Sequence, residues 1–329
     1  MVLVVLIVVC ALTFDFINGF HDTANAIATV VSTRVLSPRT AIIMSATLNF
    51  VGALCFTQVA QTIAKGLVSG ATQPIILAAI VGAIVWNLIT WYFGIPSSSS
   101  HALVGGLIGA SWAAAGTRSI IWEGVKVKVL IPLVASPTMG LIIGFVLMFA
   151  ITMIFANRPA GSTGKLFRAM QIFSSAFMSF AHGSNDAQKS MGIITLALVS
   201  YGGHHLAKAP IPTWVKLACA IAMALGTSIG GWRIIKTMGH KIIRLEPVHG
   251  FAAETSASLI ILYATLSGQT VSTTHVISGS IFGVGVAKRL SAVRWQVALN
   301  MILAWVLTMP AAGTVAAACY HGLNLLGVH

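Results

Sequence analysis

Six acidic residues are all that the 329 positions contain, and three of them, Asp15, Asp22 and Asp186, lie in stretches that are otherwise apolar. A carboxylate at the centre of a bilayer costs roughly 2.5 to 3.5 kcal/mol on insertion scales, so it normally has a partner or lines a pathway. Two of the three recur in matching surroundings. Gly19-Phe20-His21-Asp22-Thr23-Ala24 is echoed by Gly183-Ser184-Asn185-Asp186-Ala187-Gln188. A second echo follows in the same order: Ser98-Ser99-Ser100-His101 with Gly105 and Gly109 matches Ser272-Thr273-Thr274-His275 with Gly279 and Gly283. Two ordered matches mark an internal repeat.

Serine and threonine compete for backbone hydrogen bonds and favour helix N-caps, so each hydroxyl run is expected to break a membrane segment. The helix that restarts behind the break presents free N–H groups and a positive dipole end, and the hydroxyls add donors, which suits an oxyanion. Close helix packing over the paired glycines is the plainer alternative. Carboxylates in an anion site make sense if a cation or proton travels too, which gives Asp22 and Asp186 a coupling role. The rival role for both is an interfacial or capping one. His21, His101, His182 and His275 adjoin the repeated motifs and titrate near neutral pH, so proton relay and simple packing are both open to them. Lys189 follows Asp186 by three residues, one helical turn, and can pair with it or reach an anion; the first half has Asn25 there. Asp15 is not duplicated, and neither is Glu254, a further intramembrane acid ranked below the aspartates.

The elements that must hold these groups are membrane helices. Hydrophobic residues make up 57% of the chain and charged ones 8%, which excludes a soluble globule. At about 20 apolar residues per crossing, roughly ten to twelve segments would fit. The clearest apolar runs are Val2 to Thr13, Ala41 to Ala64, Pro74 to Phe93, Val129 to Phe155, Val215 to Ile229, Phe251 to Leu266 and Trp295 to Tyr320. The first lacks a basic leader and a small-residue cleavage site, and reads as an uncleaved helix. The net charge of +13 gathers in short stretches between apolar runs, such as Arg34 and Arg39, Lys126 and Lys128, and Arg233 to Arg244, as positive-inside signals do. Contact with anionic lipid comes second, and nucleic-acid binding is set aside. The four cysteines are scattered in apolar runs without metal or redox spacing, and no certain metal site is expected.

The hydrophilic stretch Asn157 to Arg168 falls near mid-chain and divides the sequence into a first membrane repeat, 1–156, a short linker, 157–168, and a second repeat, 169–329. Duplicated halves with polar, glycine-bearing interruptions at corresponding places are a pattern of secondary transporters.

At these residues the sequence resembles the inorganic phosphate transporter (PiT) permeases, whose signature is two copies of a G-x-N-D-x-x-N-A-like motif. The copies here are Gly19-Phe20-His21-Asp22-Thr23-Ala24-Asn25-Ala26 and Gly183-Ser184-Asn185-Asp186-Ala187-Gln188-Lys189-Ser190. The wording from Phe14 to Ala26 and from His182 to Lys189 is similar to the bacterial low-affinity subgroup, and the likeness covers nearly the whole chain. It implies an all-α integral membrane protein of two inverted repeats with broken or re-entrant helices, a multi-pass protein of the cell (inner) membrane, without enzyme activity or cofactor. It implies phosphate transport in symport with a proton or sodium, and a homodimer less securely. Thr23, Ser98, Ser99, Ser100, Gln188, Ser272, Thr273 and Thr274 are then the phosphate-binding candidates. Asp22, Asn25, Asp186 and Lys189 are the coupling candidates, with Asp15, His21, His101, Asn185, His275 and Glu254 behind them. Lys189 departs from the sodium-type pattern: a fixed ammonium can stand in for a bound sodium ion, which favours proton coupling. Members of the subgroup also accept neutral metal–phosphate complexes, a form that would spare the site an uncompensated charge.

Three rival readings are weaker. Gly226-Thr227-Ser228-Ile229-Gly230 fits G-x-S-x-G, but a hydrolase needs a strand, turn and helix there. A channel fits the coupling carboxylates less well than alternating access does. Sulfate offers no hydroxyl donor near neutral pH, so acceptor carboxylates select against it.

Overall fold

Hydrocarbon offers backbone groups no partner, so a chain this apolar has to close its hydrogen bonds within helices. The computed structural model describes residues 1–65, 67–202 and 211–328. Among them run thirteen α-helices: α1 Val2–Ser32, α2 Pro38–Cys55, α3 Gln58–Lys65, α4 Gln73–Phe93, α5 Ser99–Ala115, α6 Trp122–Val125, α7 Ile131–Phe155, α8 Ala160–Gly202, α9 Thr213–Ile229, α10 Trp232–Lys236, α11 Pro247–Leu266, α12 Thr273–Lys288 and α13 Trp295–Leu325. A π-helical turn, Lys126–Leu130, joins α6 to α7.

Local chemistry sets the ends. Ser37 caps α2 by accepting from the Thr40 amide, with Pro38 in the first turn. α4 and α11 also begin on a proline, which lacks the N–H that a first turn leaves unpaired. α4 ends at Gly94, with φ of 65°, and Gly268, just past the Ser267 cap of α11, has the same φ, a left-handed conformation that costs other residues energy. The chain then turns into the hydroxyl runs. The polar stretch 157–168 differs from the expected linker, because helix α8 already starts at Ala160 and only residues 156–159 form the turn. Pro159 is tolerated just outside a helix start. Gly161 and Gly164 each cost about 1 kcal/mol, too little to stop a helix of this length.

Among the described residues, four helices are long and apolar enough to cross a bilayer: α1, α4, the continuous Trp122–Phe155 unit and α13. A fifth crossing is α9 with Trp232–Lys241, bent by 60° at the break. The expected ten to twelve segments are not reached on this criterion, for two physical reasons. The helices α5 and α12 have 17 and 16 residues, short of the roughly 20 a span requires. The long α8 carries the polar motif through its middle, which lowers its hydropathy.

The packing is exchanged between the halves. Helix α5 lies along α13 and α12 along α7, while α1 packs on α9 and α2 on α8. The hairpin helices α5 and α12, which start at the hydroxyl runs, each approach their partner over glycine. Gly109 faces the Gly313 backbone and Gly283 faces the Leu141 carbonyl, with no room for a β-carbon. Gly283→Ala should therefore lower stability by about 1 to 3 kcal/mol through overpacking. Thermal unfolding in detergent checks this, with Gly161→Ala, where a β-carbon meets nothing within 4 Å, as the control that loses no stability.

The apolar interior is split. Ile7, Ala11 and Phe14 of α1 belong to one cluster, and Ala24 and Ala26 to Ala28 with Val30 to another. Between them, α1 carries a buried polar stripe, Asp15, Asn18, Asp22, Asn25 and Thr29, spaced three and four residues apart and so on one face. Helix α8 answers with Gln171, Ser175, Ser179, His182, Asp186 and Lys189, all buried.

Candidate functional site

The hydroxyl runs do break the chain. Ser98 and Ser272 are the N-caps of α5 and α12, and their side chains accept from the His101 and His275 amides, both at 3.2 Å. The next residue of each run reaches a motif carboxylate. Ser99 donates to Asp22 Oδ2 at 3.3 Å, and Thr273 donates to Asp186 Oδ2 at 3.3 Å. The two helix starts also meet each other, since the Ser100 hydroxyl donates to the Val271 carbonyl at 3.3 Å. His101 and His275 lie 4.9 Å apart, and His275 stacks on Trp305 at 4.1 Å. Two positive helix ends with their hydroxyls thus converge beside two carboxylates.

The carboxylates are furnished differently. Asp22 is 2% exposed, with His21 Nδ1 at 2.6 Å from its Oδ1. The other His21 nitrogen lies 3.0 Å from the Thr90 hydroxyl and 3.4 Å from that of Ser97. Asp186 is fully buried and receives the Lys189 ammonium at 2.5 Å and the Asn18 amide at 3.5 Å, with His182 Nε2 lying 3.4 Å away without a hydrogen bond. Asn25, at the position matching Lys189, donates across the site to Thr273 at 3.2 Å and Thr274 at 2.9 Å. Paired buried charges hold only with good geometry and further hydrogen bonds, which the Lys189–Asp186 pair has. Asp22, His182 and Asp186 can each offer a ligand atom within 4.8 Å of the others, the one cluster among the described residues able to hold a metal ion.

Two sequence candidates stand apart from this cluster. Gln188 spends its amide on capping α3, accepting from the Val59 and Ala60 amides at 2.8 and 3.2 Å and donating to the Ser184 carbonyl at 2.6 Å. Thr23 donates to the Gly19 carbonyl at 2.5 Å and faces Thr227 on α9. A helix turns about 100° per residue, so positions one and two after the aspartate cannot share its face, while the position three after it does. Asn185 likewise points to α11, donating to Thr265 at 3.0 Å.

Asp15 and Glu254 lie further along the polar seam. Glu254 is fully buried and accepts from Thr29, Ser174 and, at 3.2 Å, Gln171. Sequence reasoning missed Asn18 as a partner of Asp186 and this hydroxyl cage around Glu254. Extending the repeat comparison four residues upstream of each aspartate would have found Asn18 and His182 as one matched pair, one turn before the acid. Ser228 of the G-x-S-x-G sequence is exposed, and its hydroxyl donates to the Ala224 carbonyl of its own helix at 2.9 Å. Among the described residues, no histidine or acid bonds that serine.

Comparison with known proteins shows the family. A family model described as the phosphate transporter family matches residues 18–316. The chain is 52% identical over 330 residues to a probable low-affinity inorganic phosphate transporter of Bacillus subtilis, covering 99% of this chain and 98% of that one. A Rhizobium meliloti protein of the same description is 47% identical over 98% and 97% of the two chains. A putative phosphate permease of Pyrococcus furiosus is 27% identical over 94% and 93%. Among solved structures, one described as the sodium-dependent phosphate transporter superposes with a TM-score of 0.88 at 27% identity, over 99% of this chain and all of that chain. The chain therefore belongs to the phosphate transporter family, as a multi-pass membrane protein and not an enzyme.

Proposed function

We propose that the chain is a secondary symporter that moves inorganic phosphate across the cell membrane with a proton. Phosphate takes its donors from the starts of α5 and α12, through Ser98 to Ser100 and Ser272 to Thr274. Asp22 and Asp186 couple the cation. In this reading the halves 1–156 and 169–329 are inverted repeats, each giving one hairpin helix and one motif helix. A cavity of about 420 Å³ beside Val271 and Gln269, with Lys128 in its wall, supports an approach for an anion from the side opposite Arg34 and Arg168. By the positive-inside rule, the more basic side, with Arg34, Arg168, Arg233 and Lys288, faces the cytoplasm.

The observation that carries the proton is Lys189, whose ammonium sits on Asp186 where the first half has neutral Asn25. A tethered cation fills the place a mobile sodium ion would take. The charge left to balance falls to Asp22, whose Oδ1 lies 2.6 Å from Nδ1 of its neighbour His21. The chain's likeness to a sodium-dependent relative, and the Asp22, His182 and Asp186 cluster, favour sodium as a second reading. Phosphate complexed with a divalent metal remains a compatible cargo, because the complex is neutral.

Uptake of radiolabelled phosphate into proteoliposomes separates these readings. An inward proton gradient without sodium should drive accumulation. A requirement for an inward sodium gradient at fixed pH would overturn proton coupling while keeping phosphate as substrate, and stronger competition by sulfate than by phosphate would overturn the substrate.

A further inference from the structure

The cavity beside Val271 has more in its walls than a passage requires. It shares Thr62, Lys128, Ser267 and Gly268 with a second cavity of about 380 Å³, which opens further out past Gln58 and Gln61 of α3. Among the described residues, Lys128 is the only charged side chain in these walls, and it is half-buried without an ion pair. Two turns further along the same helical run, the Ser136 hydroxyl lines the inner cavity. Ser136 is 3% exposed and its oxygen has no hydrogen-bond partner. Both groups are free to serve something that enters.

The inner end of the cavity is Val271, the residue before the Ser272 cap of α12. Its carbonyl accepts the Ser100 hydroxyl of α5 at 3.3 Å, so it stands between the cavity and the donors of both helix starts. The corresponding turn of the first half, Gly94 to Ser97, is covered instead. Thr237 donates to the Gly94 carbonyl at 2.9 Å and Trp305 to the Pro96 carbonyl at 3.0 Å. Arg233 donates to the Tyr92 carbonyl, with its guanidinium 4.8 Å from the centre of that ring. The approach left open is the one with Lys128 in its wall.

Ile131, Pro132, Ala135, Met139 and Ile260 make the remaining wall largely apolar. Low-dielectric walls focus the field of a single charge and raise the local concentration of its counter-ion. A buried hydroxyl without a partner is costly until one arrives.

We propose that this cavity is a loading site for inorganic phosphate, in which Lys128 supplies the attracting charge and Ser136 a hydroxyl donor near the floor. The anion waits there until the Ser100–Val271 bond opens and then passes to the hydroxyls of α5 and α12. This deepens the phosphate-transport reading, rests on it, and holds whichever cation is coupled.

The test is the concentration dependence of phosphate uptake into proteoliposomes of phosphatidylcholine, with thermal unfolding confirming that each variant folds. Lys128→Gln should raise KM about threefold to tenfold, leaving the maximal rate within about twofold of wild type. It should also remove the rise of KM with ionic strength that the wild type shows. Lys128→Arg should behave as wild type, and so should Lys126→Gln, which changes an exposed lysine that lines neither cavity. Ser136→Ala should raise KM about twofold or more while keeping the salt dependence. A wild-type KM in Lys128→Gln, or the same rise in Lys128→Arg, overturns the loading site and leaves phosphate transport standing. An effect of Lys128→Gln that appears only when phosphatidylglycerol is added assigns the lysine to a lipid headgroup and also overturns it. Absence of saturable phosphate uptake by the wild type overturns the functional reading and the loading site together.

Discussion

Asp186→Asn should abolish phosphate uptake and, unlike most polar substitutions, also weaken the fold by about 3 to 5 kcal/mol, the cost of breaking a buried ion pair from one side. The reason is Lys189. Its ammonium is 1% exposed and its one hydrogen-bonding partner among the described residues is the Asp186 carboxylate. Removing the charge of Asp186 strands a cation between α1, α8 and α12. The double variant Asp186→Asn with Lys189→Asn should recover the stability, because neutral amides can share the Asn18 and Thr273 bonds, yet it should not transport. Asp22→Asn makes the contrast. Among the described residues no lysine pairs with Asp22, and an asparagine keeps an acceptor for Ser99, so the fold should lose only about 1 kcal/mol while uptake falls to background. Chemical unfolding in detergent and uptake in proteoliposomes measure the two effects separately. Equal stability losses at Asp22 and Asp186 would contradict the assigned role of Lys189.

The second expected result reverses the ion preference. Lys189→Asn gives the second half the residue that Asn25 provides in the first, and frees the Asp186 carboxylate within reach of Asp22 and His182. Three oxygen or nitrogen donors then face a space without a resident cation. Uptake should become dependent on sodium, and the variant should become more thermally stable as sodium is added. Mass action gives the scale: a ligand at one hundred times its dissociation constant adds about 2.7 kcal/mol. Wild-type stability should not respond to sodium. A Lys189→Asn protein that stays proton-driven and unaffected by sodium would refute the view of Lys189 as a tethered cation.

How much of this could be read from residues alone differs from element to element. The serine and threonine runs gave both helix starts, because N-cap chemistry is local: Ser98 and Ser272 accept the amides three residues on. The Lys189–Asp186 pair was legible for the same reason, since a spacing of three fixes a shared face on any helix. Thr23 and Gln188 went astray because adjacency in a motif is not adjacency on a helix. Gln188 instead serves α3, an eight-residue helix whose need for a cap appears only in three dimensions. The cage around Glu254 draws on α1, α8 and α11, and no single window of sequence contains it. The segment count is harder to read, because α5 and α12, at 17 and 16 residues, fall short of the length of a full span.

The exchanged packing of the hairpin helices bears on how the molecule comes into being. Helix α5, with the first half-site at its start, finds its long neighbour only in α13, near the far end of the sequence. While the chain is being synthesised, α5 and its serines are already in the membrane with that flank against lipid, and Gly105 and Gly109 meet no opposing backbone until α13 arrives. The first half-site is thus assembled last. Ribosomes that stall before α13 would leave a first half that is inserted but loose, a natural substrate for membrane quality control, and supplying α13 as a separate peptide should be enough to fasten it.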